Sequence, residues 1–367
     1  MEHQMMQALV WLGPRKIVQR EEPMPQLEAG EVLISIGAAG ICGSELSGFL
    51  GHNSLRVPPL IMGHECAGHV VQVTEGTFAT GEAATVGARV TFNPLVVCGT
   101  CDLCLAGRSN LCRRRQLVGA HRPGGFAQFV AVPARQCYPL PERSPASLSL
   151  VAGSLAEPLA CSIRAVAHSG IKPQERLLIL GAGPIGLFAV AAARARGVEQ
   201  IIVTDVAPHR LEIAQRWGAR DVIDAGEQDV VACLQERYPG GVDSVIDAVG
   251  ATSVRTQAIR AVVPGGRAVL IGLHEEESVL PANYLIRQEV TVTGSFAYTD
   301  SDFSQAIDFL VRGVVQPSAD WLEERPLSDG PSAFAELVDG KARTAKIVLT
   351  LAVPVDGTTK TESHNEN

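Results

Sequence analysis

Four cysteines, Cys98, Cys101, Cys104 and Cys112, form a C-x2-C-x2-C-x7-C run within fifteen residues. That spacing lets four thiolates reach one ion, and a zinc closed in by four sulfurs keeps no position for a substrate. The chemistry predicted is therefore structural: metal-binding free energy becomes folding free energy of the surrounding lobe, about residues 95–115. An iron–sulfur cluster is the rival occupant, but nothing else in the chain points to electron transfer. Nine cysteines without a recognisable export signal are expected to stay reduced, which favours metal over disulfides.

A second chemistry is written in Gly181-Ala182-Gly183-Pro184-Ile185-Gly186, which follows an apolar run and opens a helical pattern. Gly181 permits the tight turn, Gly183 lets the backbone approach a pyrophosphate, and Gly186 lets helix and strand pack closely. Pro184 and Ile185 open the helix, whose first N–H groups face the anion. Asp205 stands 24 residues beyond Gly181 at the end of the next apolar run, where a carboxylate accepts hydrogen bonds from the adenosine ribose. The cofactor predicted is NAD rather than NADP. Arg210 has two readings, a cover for the adenine or a solvated helix residue, while Asp221, Asp224 and Asp243 read as surface or cap residues.

A third set is dispersed: Cys42 in Gly40-Ile41-Cys42-Gly43-Ser44, His64 and Glu65 in Gly63-His64-Glu65, and Glu157 in Glu157-Pro158-Leu159. Each type ligates zinc, yet a single buried cysteine is usually a small core residue and a single histidine a satisfied polar one. Spacing alone does not assemble these four.

The elements that must position these residues divide in two. Up to about Pro141 the chain reads as short strands, such as Glu31 to Ile36 and Cys66 to Val73, between Gly/Pro-rich loops. From Arg176 strands alternate with helices: Leu177 to Leu180, a helix from Ile185 to Arg196, then Gln200 to Asp205, Asp221 to Ile223, Ser244 to Asp247, Ala268 to Gly272 and Val290 to Gly294. Six such strands predict a doubly wound parallel sheet of the Rossmann type. An amphipathic helix from Phe303 to Arg312 and a strand from Ala345 to Leu351 return to the first part. The expected domains are thus 1–156 with 297–351, and 157–296, followed by a flexible tail over 352–367. A length of 367 residues suits two cores rather than one. A formal charge of -8 without a basic run offers nothing to nucleic acid or an anionic membrane. No stretch reads as a leader or a membrane span, so a cytoplasmic location is expected.

Taken together, Gly40-Ile41-Cys42-Gly43-Ser44, Gly63-His64-Glu65 with Gly68, the four-cysteine lobe, Gly124-Gly125-Phe126-Ala127, Glu157-Pro158-Leu159 and the glycine loop with Asp205 resemble the zinc-containing medium-chain dehydrogenase/reductase superfamily, in its sorbitol (polyol) and threonine dehydrogenase branch. The resemblance runs from about Met6 to Leu351. It implies a GroES-like β fold for the catalytic domain, a catalytic zinc on Cys42, His64 and Glu65, and Glu157 either as a fourth ligand or bonded to the metal's water. It also implies two zinc ions per chain, Ser44 as acceptor of the alcohol proton, and a homodimer or homotetramer. The activity implied is NAD-linked oxidation of a secondary alcohol to a ketone, the substrate being a polyol, cyclitol or sugar alcohol. Threonine-type and phosphorylated hexitol dehydrogenases are the alternatives, the latter with Arg56 or Arg122 as phosphate partner; a catalytically silent binding protein on the same scaffold is the alternative of another class. The chain departs from the pattern at Ser47, where relatives often carry a relay histidine, leaving His52 as a substitute, and at Thr74 and Ala88, which bear on folding.

Overall fold

The computed structural model describes residues 4–142 and 147–352. Leu177, Leu178 and Ile179 have no exposed surface, as befits a parallel strand covered by helices on both faces. Six parallel strands lie in the spatial order Asp221–Asp224, Gln200–Asp205, Arg176–Leu180, Val242–Asp247, Val262–Leu270, Thr291–Gly294. The order reverses between Arg176–Leu180 and Val242–Asp247, and beyond the carboxyl ends at such a switch point a doubly wound sheet opens its crevice. All six expected strands are present. The largest boundary error is at Val262–Leu270, which starts six residues before the expected Ala268 because Gly265 and Gly266 mimic a turn and the pairing with Val242–Asp247 slips there.

In the other half, Glu31–Gly40 is buried along its whole length and forms the spine of a seven-stranded sheet. Antiparallel Glu65–Val73 and Phe129–Pro133 flank it, and Lys346–Thr350 joins its last turn of pairing. A smaller sheet of Lys16–Pro23, Met5–Gly13 and Leu60–Ile61 packs alongside. The expected helix near Phe303 is Asp300–Val311, begun earlier by a capping box: Thr299 Oγ1 accepts from the Asp302 N–H at 3.4 Å and the Asp302 carboxylate accepts from the Thr299 N–H at 2.8 Å.

The sequence pattern gives no notice of the Ala156–Ser169 helix, nor of the shorter Gly43–Phe49 and Gly330–Val338. Ala156–Ser169 buries ten of its fourteen residues: Ala156 to Ala160 are all core and include Pro158, and only Cys161, Arg164, Ala167 and His168 reach the surface, a narrow stripe confined to its later turns. It ends on Gly170, whose φ of 63° supplies the left-handed cap. Its Leu159 and Ala160 share one apolar cluster with Ala38 and Ala67 of the antiparallel sheet and with Leu177 and Ile179 of the parallel one, so the two cores meet on this helix. Among the described residues no helix is long and apolar enough to cross a membrane. The tail expected over 352–367 lies, beyond Ala352, outside the described residues.

Candidate active site

The four lobe cysteines converge. Sγ separations are 3.5 Å for Cys101–Cys104 and Cys98–Cys112, and 3.9 Å for Cys98–Cys104 and Cys101–Cys112. A tetrahedron with zinc–sulfur bonds of about 2.3 Å has edges of about 3.8 Å. The donor set therefore fits one tetrahedral zinc, while disulfides would need sulfurs about 2 Å apart.

The dispersed set is assembled by strand register. Gly40 pairs with Glu65 across the antiparallel ladder, so Cys42, just past the end of one strand, meets His64, just before the start of the next. Lys346–Thr350 pairs Val348 with Gly40, which carries Lys346 to the same end. The ligating atoms of Cys42, His64 and Glu65 all lie within 4.8 Å of one another. Glu65 is wholly buried, and its Oε1 has no hydrogen-bond partner. A buried carboxylate oxygen left bare is costly unless a cation meets it, which fits a metal facing this atom. Glu157 falls outside that close trio: its Oε1 accepts a hydrogen bond from the Tyr298 hydroxyl at 2.9 Å. Burial pushes the Glu157 carboxyl up to about 7, with Glu65 adding to the shift and His64, Tyr298 and Lys346 opposing it.

Three supporting residues were not anticipated. Glu45 accepts from His64 Nδ1 at 2.8 Å, from the Gly63 N–H at 2.8 Å and from the Cys42 N–H at 3.0 Å. It thereby turns the other ring nitrogen of His64 outward, as a carboxylate behind a ligating histidine does. Burial opposes a charge on His64, but Glu45 and Cys42 outweigh it and raise the imidazole well above its ordinary range. Lys346, fully buried, makes an ion pair with Glu65 Oε2 and donates to the Ile41 carbonyl at 3.0 Å. Gly40 makes room for this pair, since a Cβ there would run into Glu65 Oε2 and sit 2.9 Å from Lys346 Cε. Tyr298 completes the group. Glu45 was legible as an acidic residue three positions into the helix after Cys42, and Lys346 as a lone charge in an apolar strand; nothing in the sequence marks Tyr298.

Ser44 Oγ lies 3.5 Å from Cys42 Sγ and accepts from Arg56 Nη2 at 3.3 Å. Arg56, the expected phosphate partner, is instead buried, its stem lying in the space left by Gly48, where a Cβ would come within 2.6 Å of Arg56 Cδ. Arg122 is not free to meet a phosphate either, because Glu31 holds it in an ion pair. His52 is exposed and touches Ser47 only through its backbone N–H, 2.9 Å from the Ser47 carbonyl.

Across the fold, Gly181 turns with φ of 97°, Gly183 precedes the Pro184–Ala195 helix, and a Cβ on Gly186 would strike the Gly181 carbonyl. Ser162 anchors the helix start by donating to the Ile185 carbonyl at 2.9 Å. Asp205 Oδ2 accepts from the Ala182 N–H at 2.7 Å and Oδ1 from the Ala207 N–H at 2.9 Å, so the carboxylate braces the glycine loop from the neighbouring strand. Arg210 keeps a buried Nε without a partner. Asp221 pairs with Arg237 at 2.9 Å, Asp224 accepts from the Gly226 N–H and Asp243 from the Arg176 N–H, the local roles expected of them.

Comparison with known proteins reaches both halves. Residues 28–142 match the alcohol dehydrogenase GroES-like domain and residues 184–312 the zinc-binding dehydrogenase family. Sorbitol dehydrogenase of Bacillus subtilis is 32% identical over 353 residues, covering 94% of this chain and 97% of that protein. L-idonate 5-dehydrogenase of Vitis vinifera is 33% identical over 86% of each chain. Among solved structures, an Escherichia coli CFT073 protein described as a short chain alcohol dehydrogenase, complexed with NADH, superposes with a TM-score of 0.85 at 28% identity, over 95% of this chain and 99% of its own.

Proposed function

Since this chain belongs to the zinc-binding medium-chain dehydrogenase family and is an alcohol dehydrogenase of its polyol branch, we propose that it oxidises a polyol, cyclitol or sugar alcohol at a secondary carbinol, using NAD and two zinc ions. The observation that carries this reading is the convergence of Cys42, His64 and the unpartnered Glu65 Oε1. Those three would hold the catalytic ion, and the four lobe thiolates the structural one. When bound, zinc supplies Lewis acidity that lowers the alcohol's pKa, and NAD supplies the hydride acceptor.

The chain's own residues divide the remaining work. Glu45 keeps His64 in the ligating orientation. Lys346 neutralises part of Glu65, so two anionic ligands do not cancel the charge of the ion they face. Ser44 Oγ takes the alcohol proton as its own hydroxyl proton passes to water at this half-buried position, and Arg56, donating to the same oxygen, orients it. Tyr298 fixes the Glu157 carboxyl beside the site. The Gly181–Gly186 turn and the helix behind it bind the pyrophosphate, and Asp205 the ribose. In this reading 1–156 with 297–351 forms the catalytic domain and 157–296 the NAD domain. The chain forms a homo-oligomer, for which the edge strand Thr291–Gly294 is open to pairing with a second copy. The test is a screen of polyols, inositols, amino alcohols and simple secondary alcohols for NAD reduction, with zinc counted on the same sample.

A further inference from the structure

The segment between the last parallel strand and the Asp300–Val311 helix is pinned at both ends by residues of different function. At one end, Asn110 Nδ2 of the cysteine lobe donates to the Phe296 carbonyl at 2.8 Å, and the Arg115 guanidinium lies 4.9 Å from the centre of the Phe296 ring. Asn110 is 1% exposed and stands two residues before Cys112; Arg115 donates from Nη1 to the Cys112 carbonyl at 3.2 Å. At the other end, Tyr298, also 1% exposed, packs its ring 5.4 Å from Phe303 and donates to Glu157 Oε1. Between them Ala297 takes a φ of 49°, in the left-handed region. That conformation is unfavourable for a non-glycine residue and persists only where its surroundings over-determine it.

We propose that the cysteine lobe is a positioning element for the alcohol site: Asn110 and Arg115 hold Phe296, which forces Ala297 into its left-handed turn and delivers the Tyr298 hydroxyl to Glu157. The lobe then does more than stabilise its own loop. Released from Asn110, the segment relaxes Ala297 toward the ordinary right-handed region, and a rotation there carries the Tyr298 hydroxyl off the carboxylate. Packing on Phe303 supports one side of the Tyr298 ring, while the backbone at Ala297 sets how far the ring, and with it the hydroxyl oxygen, reaches. The functional consequence rests on the reading of Glu157 as part of the alcohol site; the structural coupling does not.

The test keeps those two apart. The chain has four tyrosines, so uniform fluorotyrosine labelling gives a short 19F spectrum in which Tyr298→Phe identifies the Tyr298 line. Asn110→Ala should shift or broaden that line while the zinc content stays that of the unmutated protein, and Arg115→Gln, at an exposed position, should do so to a smaller extent. Coupling through intermediate residues is typically worth about 2- to 30-fold. We therefore expect Asn110→Ala to lower kcat on the best alcohol by a factor in that range with KM for NAD unchanged, and to lower it no further in a Tyr298→Phe background. An unmoved Tyr298 line in both variants overturns the coupling whether or not an alcohol substrate has been found. A loss of kcat that recurs in full in the Tyr298→Phe background overturns the route through Tyr298.

Discussion

Replacing Lys346 by methionine removes a charge without opening a hole. The lysine side chain is 1% exposed and its stem lies in the core, where methionine keeps nearly the same volume. What disappears is the ion pair to Glu65 and the hydrogen bond to the Ile41 carbonyl. Burial alone would depress the lysine, but Glu65 and Cys42 more than offset it and raise its pKa, so the pair is intact at neutral pH and is lost only as the pH climbs through that raised value. Taking one partner from a buried pair costs about 3–5 kcal/mol, because the other charge is left without compensation. In the metal-loaded protein a divalent cation compensates Glu65 instead, and the cost should fall well below that range. Urea unfolding of unmutated protein and Lys346→Met, each with and without mild chelation of the exchangeable ion, measures both values. A loss under about 1 kcal/mol in the chelated pair, or equal losses with and without metal, would refute the claim that Glu65 is shared between lysine and ion.

Three further outcomes are expected. Cys101→Ser should lower the melting temperature and reduce bound zinc by one ion per chain, since lobe folding and metal binding are one process; unchanged stability would remove the structural assignment. Metal-depleted protein should lose stability between the ordinary glutamate value of 4.5 and about 7, because Glu157 binds its proton more tightly when folded. The slope, worth on the order of 3 kcal/mol, should flatten in Glu157→Gln, and an unaltered urea-unfolding profile across that window would contradict the assignment. Asp205→Ala should collapse the preference for NAD over NADP: a carboxylate about 4 Å from a 2′-phosphate repels it by about 4 kcal/mol at an effective dielectric near 20, of which screening leaves about half, or about thirtyfold. Equal kcat/KM ratios for the two cofactors in the unmutated enzyme would show that Asp205 does not face the ribose.

Local spacing was enough where the chemistry is local. The thiolate lobe and the glycine loop each occupy one short segment, and the structure brings each together as its spacing implies. The Cys42, His64 and Glu65 trio was legible only as a resemblance, because what assembles it is the pairing of Gly40 with Glu65, a long-range register that no periodicity encodes. Lys346 is further still, 281 residues from Glu65, and its role depends on a third strand completing the same sheet end. The Ala156–Ser169 helix is hard to read for a different reason: its first five residues are all core, and only a narrow stripe of Cys161, Arg164, Ala167 and His168 reaches the surface further along. Tyr298 reaches Glu157 across 141 residues through a turn whose left-handed residue is alanine, a residue type that gives no warning of such a conformation.

The most direct test of the account is the rate of NAD reduction across a panel of polyols, cyclitols and simple secondary alcohols, compared between the unmutated enzyme and His64→Ala with zinc counted in both. The account predicts turnover of at least one polyol-type substrate with two zinc ions per chain, and in the variant loss of turnover and of one ion with NAD still bound. Full activity in His64→Ala, or a zinc count that the substitution leaves unchanged, would contradict it.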